Sequence, residues 1–377
     1  MTVYLDCNAT TPLEPEVRDA VMLYLSEEYG NAGSRTHETG ARAKKAVENA
    51  RRSVAAVVEA SPDEVIFTSG ATESDNLAIL GLDANGCGVG KPHIVTTAIE
   101  HKAVLEPVDV LEARGYEVTI ITPGTDGQVS SQEVLNAIRD ETVLVSVMHA
   151  NNETGVLQPI EEIAAGLSPT GWPIFHVDAA QTFGKELSAL RSKRIDLISV
   201  SGHKLYAPKG IGALIARKRD GKRPPLRPLT YGGGQELGLR PGTLPVHLIV
   251  GLGKAADIAV RDLENRRQRC KEIRERALDA LGLLGIQHNG HPDTTQSHVL
   301  NISVPGVDSE AAMLAWKGLV EVSNGSACTS TKYEPSHVLQ AMGLDEDQVE
   351  GAIRISWCHM TPEVDWGELT RHLRTFL

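Results

Sequence analysis

Aromatic side chains are scarce in this 377-residue chain, at 4% of residues with only four phenylalanines. Cysteines are few and widely spread. Cys7, Cys87, Cys270, Cys328 and Cys358 are an odd set, and the closest two lie 30 positions apart. That spacing excludes a CxxC zinc or thioredoxin-type pair and argues against a disulfide framework. A cysteine that does chemistry here is expected to act as a lone thiol. No run approaches the roughly 18 consecutive apolar residues of a membrane span. The opening Met-Thr-Val-Tyr-Leu-Asp lacks the basic and apolar regions of a signal peptide, so a cytoplasmic protein is expected. Basic charge is also short. A formal charge of −12 argues against a broad phosphate-backbone surface, and direct nucleic-acid binding is not expected. An acidic enzyme that serves a nucleic-acid pathway through another protein stays open.

What the chain does have is glycine, 35 of them, and 41% apolar residues, enough for one or two domains. Short apolar runs alternate with helical periodicity from Glu64 to Ile211. Strands are predicted at Glu64–Thr68, His93–Thr97, Glu117–Thr122, Val143–Met148, Ile174–Val177 and Leu197–Val200, with helices between them. Such alternation implies a largely parallel sheet with helices on both faces, an α/β fold. Leu248 to Leu284 reads as one long helical stretch. Beyond about 250 the pattern becomes α+β, with strands at Val299–Val304, Val320–Val322 and Ala352–Trp357.

One stretch organises the rest. In Asp196-Leu-Ile-Ser-Val-Ser-Gly-His-Lys204, an apolar strand ends in small and polar residues and delivers a lysine to a loop. A lysine against such a wall has its charged form disfavoured and is available as an amine nucleophile, the property used in Schiff bases with pyridoxal phosphate. Taken alone, Ser-x-His-Lys fits a strand-end lysine with its ammonium in solvent better than a catalytic one. Four other strand ends bear on the choice. Thr68-Ser-Gly-Ala71-Thr72 leads into a helix N-terminus, which suits a phosphate or is a plain cap. His176-Val-Asp178 places a carboxylate where burial is costly without a cation, such as a protonated pyridine nitrogen. Gln181 follows three positions on, within reach of a ring hydroxyl. His101, in Ile-Glu-His-Lys, and Asn152, in Ala-Asn-Asn-Glu-Thr-Gly, stand after two further strands.

Together, in this order, these segments resemble the NifS/IscS-type cysteine desulfurases of the class V aminotransferase-like, fold-type I family. The most specific pieces are Ser201-Gly-His-Lys204, Gly232-Gly-Gly-Gln-Glu and Gly325-Ser-Ala-Cys328-Thr-Ser. The resemblance implies a large domain (16–250) with a mainly parallel seven-stranded sheet and a smaller α+β C-terminal domain (251–377). Residues 1–15 would pack on the small domain. It implies pyridoxal 5′-phosphate on Lys204, with Asp178 on the ring nitrogen and His101 over the ring. Asn152 and Gln181 would touch the ring's polar edge, and Ala71, Thr72, Ser201 and His203 would hold the phosphate. Thr243 would reach the phosphate of a neighbouring subunit, which implies a homodimer. Arg354 would pair the carboxylate of L-cysteine. Cys328, in a loop of about 323–335, would take the substrate sulfur as a persulfide and pass it to an acceptor protein, leaving L-alanine. His101 would carry protons. No metal is expected.

Several positions depart from the common family pattern: Cys7, Leu237, Pro241 and Trp357-Cys358-His359. Asp6-Cys-Asn-Ala-Thr-Thr-Pro, with an end at Leu377 soon after the last helical segment, is similar to the desulfurases of DNA phosphorothioation. Iron–sulfur cluster assembly is the other pathway expected. A selenocysteine lyase or class V transaminase would share Lys204 and Asp178; a transaminase need not carry Cys328, whereas a loop cysteine is compatible with a selenocysteine lyase as well as with the desulfurase.

Overall fold

Seven apolar runs assemble into one sheet, and helices cover both of its faces. The computed structural model describes residues 2–84, 90–324 and 335–377, so Cys87 and Cys328 lie outside the described residues. The chain starts with β1 (Val3–Tyr4), α1 (Pro15–Ser26), α2 (Glu38–Val57), β2 (Val65–Thr68) and α3 (Ala71–Ile79). There follow β3 (His93–Thr97), α4 (Lys102–Ala113), β4 (Glu117–Ile121), α5 (Ser131–Asn136), β5 (Thr142–Ser146) and α6 (Ile160–Gly166). Then come β6 (Ile174–Asp178), β7 (Leu197–Ser201) and β8 (Gly212–Ala216).

The sheet order is β2-β8-β7-β6-β5-β3-β4. Only β8 runs against its neighbours; the pairs β7–β6, β6–β5, β5–β3 and β3–β4 are parallel. The carboxyl ends of six strands therefore share one edge, the edge where open α/β sheets bind ligands. Side chains alternate between faces as a strand requires. Val65 and Phe67 enter a core with α1, α2 and α6, while Ile66 enters another with α3 and α4. β8 approaches the β2–α3 turn closely. A Cβ on Gly212 would sit 2.3 Å from the Val200 carbonyl oxygen and 2.6 Å from Gly70 Cα, so only glycine fits there.

The predicted single helix from Leu248 to Leu284 is two helices. α7 (Val246–Arg261) packs in the core of α1 and α2, and α8 (Leu263–Leu281) starts anew after Asp262 and packs elsewhere. Asp262 leaves helical geometry at φ −108° and ψ 11°, so the apolar faces on either side of it serve different cores.

The remaining elements are β9 (Gln287–His288), β10 (Val299–Ser303), α9 (Ser309–Ala315), β11 (Val320–Glu321), α10 (His337–Ala341), α11 (Glu346–Glu350), β12 (Ala352–Ser356) and α12 (Trp366–Leu373). β12, β10 and β9 form an antiparallel sheet, and α8, α9 and α12 cover it. Trp316 and Trp357 fill this core, and their indole N–H groups donate to the carbonyls of Leu369 and Cys270, both at 3.0 Å. Leu5 joins the same core, and β1 runs parallel to β11. The N-terminal segment then lies along β12, through the parallel bridge from Asp6 to Ser356.

Candidate active site

The carboxyl ends of β2, β3, β5, β6 and β7 surround a cavity of about 480 Å³, and Arg354 of β12 reaches it from the second core. Lys204 enters from a single 3-10 turn, Gly202–Lys204, directly after β7. Its Nζ donates to the Asn8 carbonyl and, at 2.8 Å, to the Ala9 carbonyl. The N-terminal segment thus holds the ammonium at the cavity wall. Ser201 and His203 flank it. His203 Nδ1 lies 3.2 Å from the Thr10 hydroxyl, and burial, helped by the Lys204 charge, pushes its imidazole down to about 4.

Asp178 closes β6 and is 6% exposed. The Ala180 N–H donates to its Oδ1 at 2.8 Å. Burial, reinforced by the Asp75 carboxyl, raises the Asp178 carboxyl to about 7, against the opposing pull of that N–H and of His101 and His176. Two more acids lie deeper. Asp75 of α3 and Glu100 after β3 are fully buried, and burial raises each to about 8. His176 is no counter-charge for them. Its ring nitrogens meet the hydroxyls of Ser146 at 2.8 Å and Ser199 at 2.9 Å, and burial lowers it to about 4, so it is neutral.

His101 is the N-cap of α4, and its Nδ1 accepts the Ala103 N–H at 3.0 Å. A neutral ring bonded this way carries its proton on Nε2. Burial lowers its proton affinity, and the Asp178 charge opposes that. The neutral imidazole therefore presents an Nε2–H donor.

At the end of β2, Gly70 turns the chain into α3 with φ 157°, and no side chain caps the helix. The N–H groups of Ala71 and Thr72 stand in its first turn, facing the same cavity as Ser201 and His203. Free N–H groups at a helix start, with its positive dipole end, suit an anion. Glu73 does not fill that role, since it accepts the Ser69 N–H at 2.6 Å and pairs with Arg240 at 3.0 Å.

Arg354 is 1% exposed. Its Nη2 pairs with Asp6 Oδ1 at 2.7 Å and its Nη1 donates to the Asn152 carbonyl at 3.1 Å. Gln181 donates through Nε2 to the Asn8 carbonyl at 3.1 Å.

Among the sequence-predicted residues, Lys204, Asp178, His101, Asn152, Gln181, Ala71, Thr72, Ser201, His203 and Arg354 line one cavity. Thr243 does not line it and lies exposed on the loop before α7. Cys328 lies outside the described residues, but both of its described flanks are tied to the site. Ser323 and Arg354 exchange backbone hydrogen bonds, and the Ser336 hydroxyl donates to Glu153 at 2.6 Å. Cys7 and Cys358 are buried beside each other under Tyr206 and do not line the cavity. Sequence reasoning missed Asp6, Asn8, Ala9, Asp75 and Glu100. The motif Asp6-Cys-Asn-Ala was in view, but backbone carbonyls leave no side-chain signature.

The residues fit pyridoxal phosphate. A buried Asp178 carboxyl meets no cation among the described residues, and a protonated ring nitrogen would supply one. Gln181 Oε1 and Asn8 Oδ1 are buried acceptors with no donor among the described residues. The uncapped start of α3 offers a place for the phosphate.

Residues 3–366 match the family described as Aminotransferase class-V. The cysteine desulfurase IscS of Vibrio vulnificus is 44% identical over 366 residues, covering 96% of this chain and 89% of that protein. Among solved structures, DndA from Streptomyces lividans is 48% identical, covers 94% of this chain and 99% of its own, and superposes with a TM-score of 0.81. SspA in complex with cysteine is 37% identical, covers 96% and 100%, and has a TM-score of 0.83. The chain therefore belongs to the class V aminotransferase family, in its pyridoxal phosphate-dependent cysteine desulfurase branch.

Proposed function

We propose that this chain converts L-cysteine to L-alanine and passes the sulfur through Cys328 to an acceptor protein. The observation that carries the reading is the convergence of Lys204, Asp178, His101 and Arg354 on one cavity beside an anion cradle. Bound pyridoxal phosphate supplies an electron sink that labilises the bonds around the substrate Cα and weakens the bond to the substrate sulfur. Lys204 would hold it through Nζ, Asp178 would pair its ring nitrogen, and Asn152 and Gln181 would meet its polar edge. Ala71, Thr72, Ser201 and His203 would take the phosphate, joined by Thr243 from a second copy of the chain.

The substrate carboxylate meets Arg354, whose planar guanidinium suits it. Lys204, released from cofactor and from the Asn8 and Ala9 carbonyls, takes the Cα proton and later returns it. His101 offers its Nε2–H as a hydrogen-bond donor at the ring face. Cys328, as thiolate, attacks the substrate sulfur and keeps it as a persulfide, and the three-carbon remainder is protonated to alanine. The assay is direct: L-cysteine with a reductant should yield alanine and sulfide in equal amounts. Keto-acid-dependent amino transfer without sulfide would overturn the reading in favour of a transaminase.

For the acceptor, we propose a protein of DNA sulfur modification. The N-terminal motif and the 48% identity to DndA support that choice. The 44% identity to IscS favours an iron–sulfur assembly scaffold as the second reading. Radiolabelled sulfur from cysteine, offered to both kinds of acceptor, should settle faster on the first.

A further inference from the structure

Asp6 belongs to no part of the reaction assigned so far, yet it touches the group proposed to anchor the substrate. Arg354 is buried to 1% exposure, and Asp6 Oδ1 at 2.7 Å is its one ion-pair partner among the described residues. Of the five N–H donors of a guanidinium, one goes to Asp6 and one to the Asn152 carbonyl. Arg354 Nε finds no acceptor among the described residues. The side chain is thus held at both terminal nitrogens with donors to spare.

Asp6 is itself on a fixed frame. Its backbone bridges Ser356, two residues along β12 from Arg354. The single Tyr4 O–H lies between the Asp6 carbonyl at 2.8 Å and the Thr10 carbonyl at 3.0 Å, in donating distance of either. The Cys7 N–H donates to the Ser356 carbonyl and the Asn8 N–H to the Ser356 hydroxyl, at 3.1 and 2.9 Å. Arg354 is fixed in turn by its pairing with Asn301 and Ser323.

We propose that Asp6 is a positioning residue that fixes the plane of the Arg354 guanidinium and so sets the enzyme's preference for amines carrying an α-carboxylate. The inference rests on the reading of Arg354 as the carboxylate anchor. Asp6 also balances the buried charge of the free arginine, so the anchor stays extended toward the cavity before substrate arrives. The same four-residue stretch holds Lys204 through the Asn8 and Ala9 carbonyls, so it places both cations that meet the substrate.

The test uses cofactor-loaded enzyme, titrated separately with L-cysteine and with cysteamine, which lacks the carboxylate. Binding is followed by the visible absorbance change, and turnover is measured in parallel. Asp6→Ala should weaken L-cysteine binding by roughly tenfold to a hundredfold, the worth of an oriented charge-assisted hydrogen bond. Cysteamine binding should stay within about twofold, and the cysteine loss should fall on KM rather than kcat. Asp6→Asn, which keeps an acceptor but not the charge, should lie between Asp6→Ala and wild type. It serves alone if Asp6→Ala does not fold. Equal weakening for both amines, or unchanged or tighter cysteine binding, would overturn the proposal. Arg354→Lys separates the two readings. If it leaves the preference for cysteine intact, the anchor reading fails. If it abolishes the preference while the Asp6 variants do not, only the role of Asp6 fails.

Discussion

Asp178 shows how a single residue ties folding to cofactor use. Its folded carboxyl sits at about 7, above the ordinary 3.8, because it is buried with no cation among the described residues. Native protein therefore holds more protons than unfolded chain between about pH 4 and pH 7, and stability falls as pH rises through that window. Above it, the penalty for this group is at most about 4 kcal/mol. In the cofactor-free protein, Asp178→Asn should raise the thermal midpoint, and more at pH 8 than at pH 5, by roughly 2–3 kcal/mol of added stability. Loaded with cofactor, the same variant should lose most of its activity, because the ring nitrogen loses its partner. An equal or lower midpoint at pH 8 in the cofactor-free variant would contradict this account of the residue.

At the scale of elements, the site depends on how closely β8 can approach the turn into α3. Gly212→Ala would push a methyl group against the Val200 carbonyl and Gly70. The expected cost is about 1–3 kcal/mol of stability together with weaker cofactor retention, because the displaced turn carries Ala71 and Thr72. Calorimetry and the cofactor off-rate check both parts, and a variant with wild-type stability would show that the turn gives way freely. The loop before α7 is fastened to the same region. Glu236 pairs with Arg51 and accepts the Phe67 N–H at 2.7 Å, and Arg240 pairs with Glu73.

These elements were unequally legible. The strands that carry Asp178 and Lys204 announce themselves as unbroken apolar runs, because both faces of the sheet are covered. The antiparallel direction of β8 leaves no mark on composition, since it is as buried as its neighbours. The break at Asp262 was hidden because helical periodicity continues across it, although α7 and α8 turn their apolar faces to different cores. β9 and α11, of two and five residues, are too short to show a period. In the site, side chains with distinctive chemistry were readable. The lysine-holding carbonyls of Asn8 and Ala9 were not, nor was the Asp6–Arg354 pair, which joins residues 348 positions apart.

For the whole molecule, the cavity is built by two cores and is completed, on the proposed reading, by a second copy. The sheet supplies the cofactor-facing groups, while β12 supplies Arg354 and the N-terminal strap runs between them. Thr243 lies exposed and away from its own chain's cavity. Enzyme carrying Lys204→Ala and enzyme carrying Thr243→Ala should therefore complement each other. In mixed dimers one site combines an intact Lys204 with the other subunit's intact Thr243, and activity should exceed that of either variant alone. A strict sum of the two parental activities would contradict sharing of the site.

The central claim, that sulfur leaves cysteine by way of Cys328, is tested most directly by the mass of the peptide containing that residue. After brief exposure of cofactor-loaded enzyme to L-cysteine without reductant, that peptide should gain one sulfur atom, with a matching amount of alanine released. Cys328→Ala should form neither, while its cofactor absorbance matches wild type. Alanine released at the wild-type rate by Cys328→Ala, or an unmodified Cys328 in turning-over enzyme, would contradict the account.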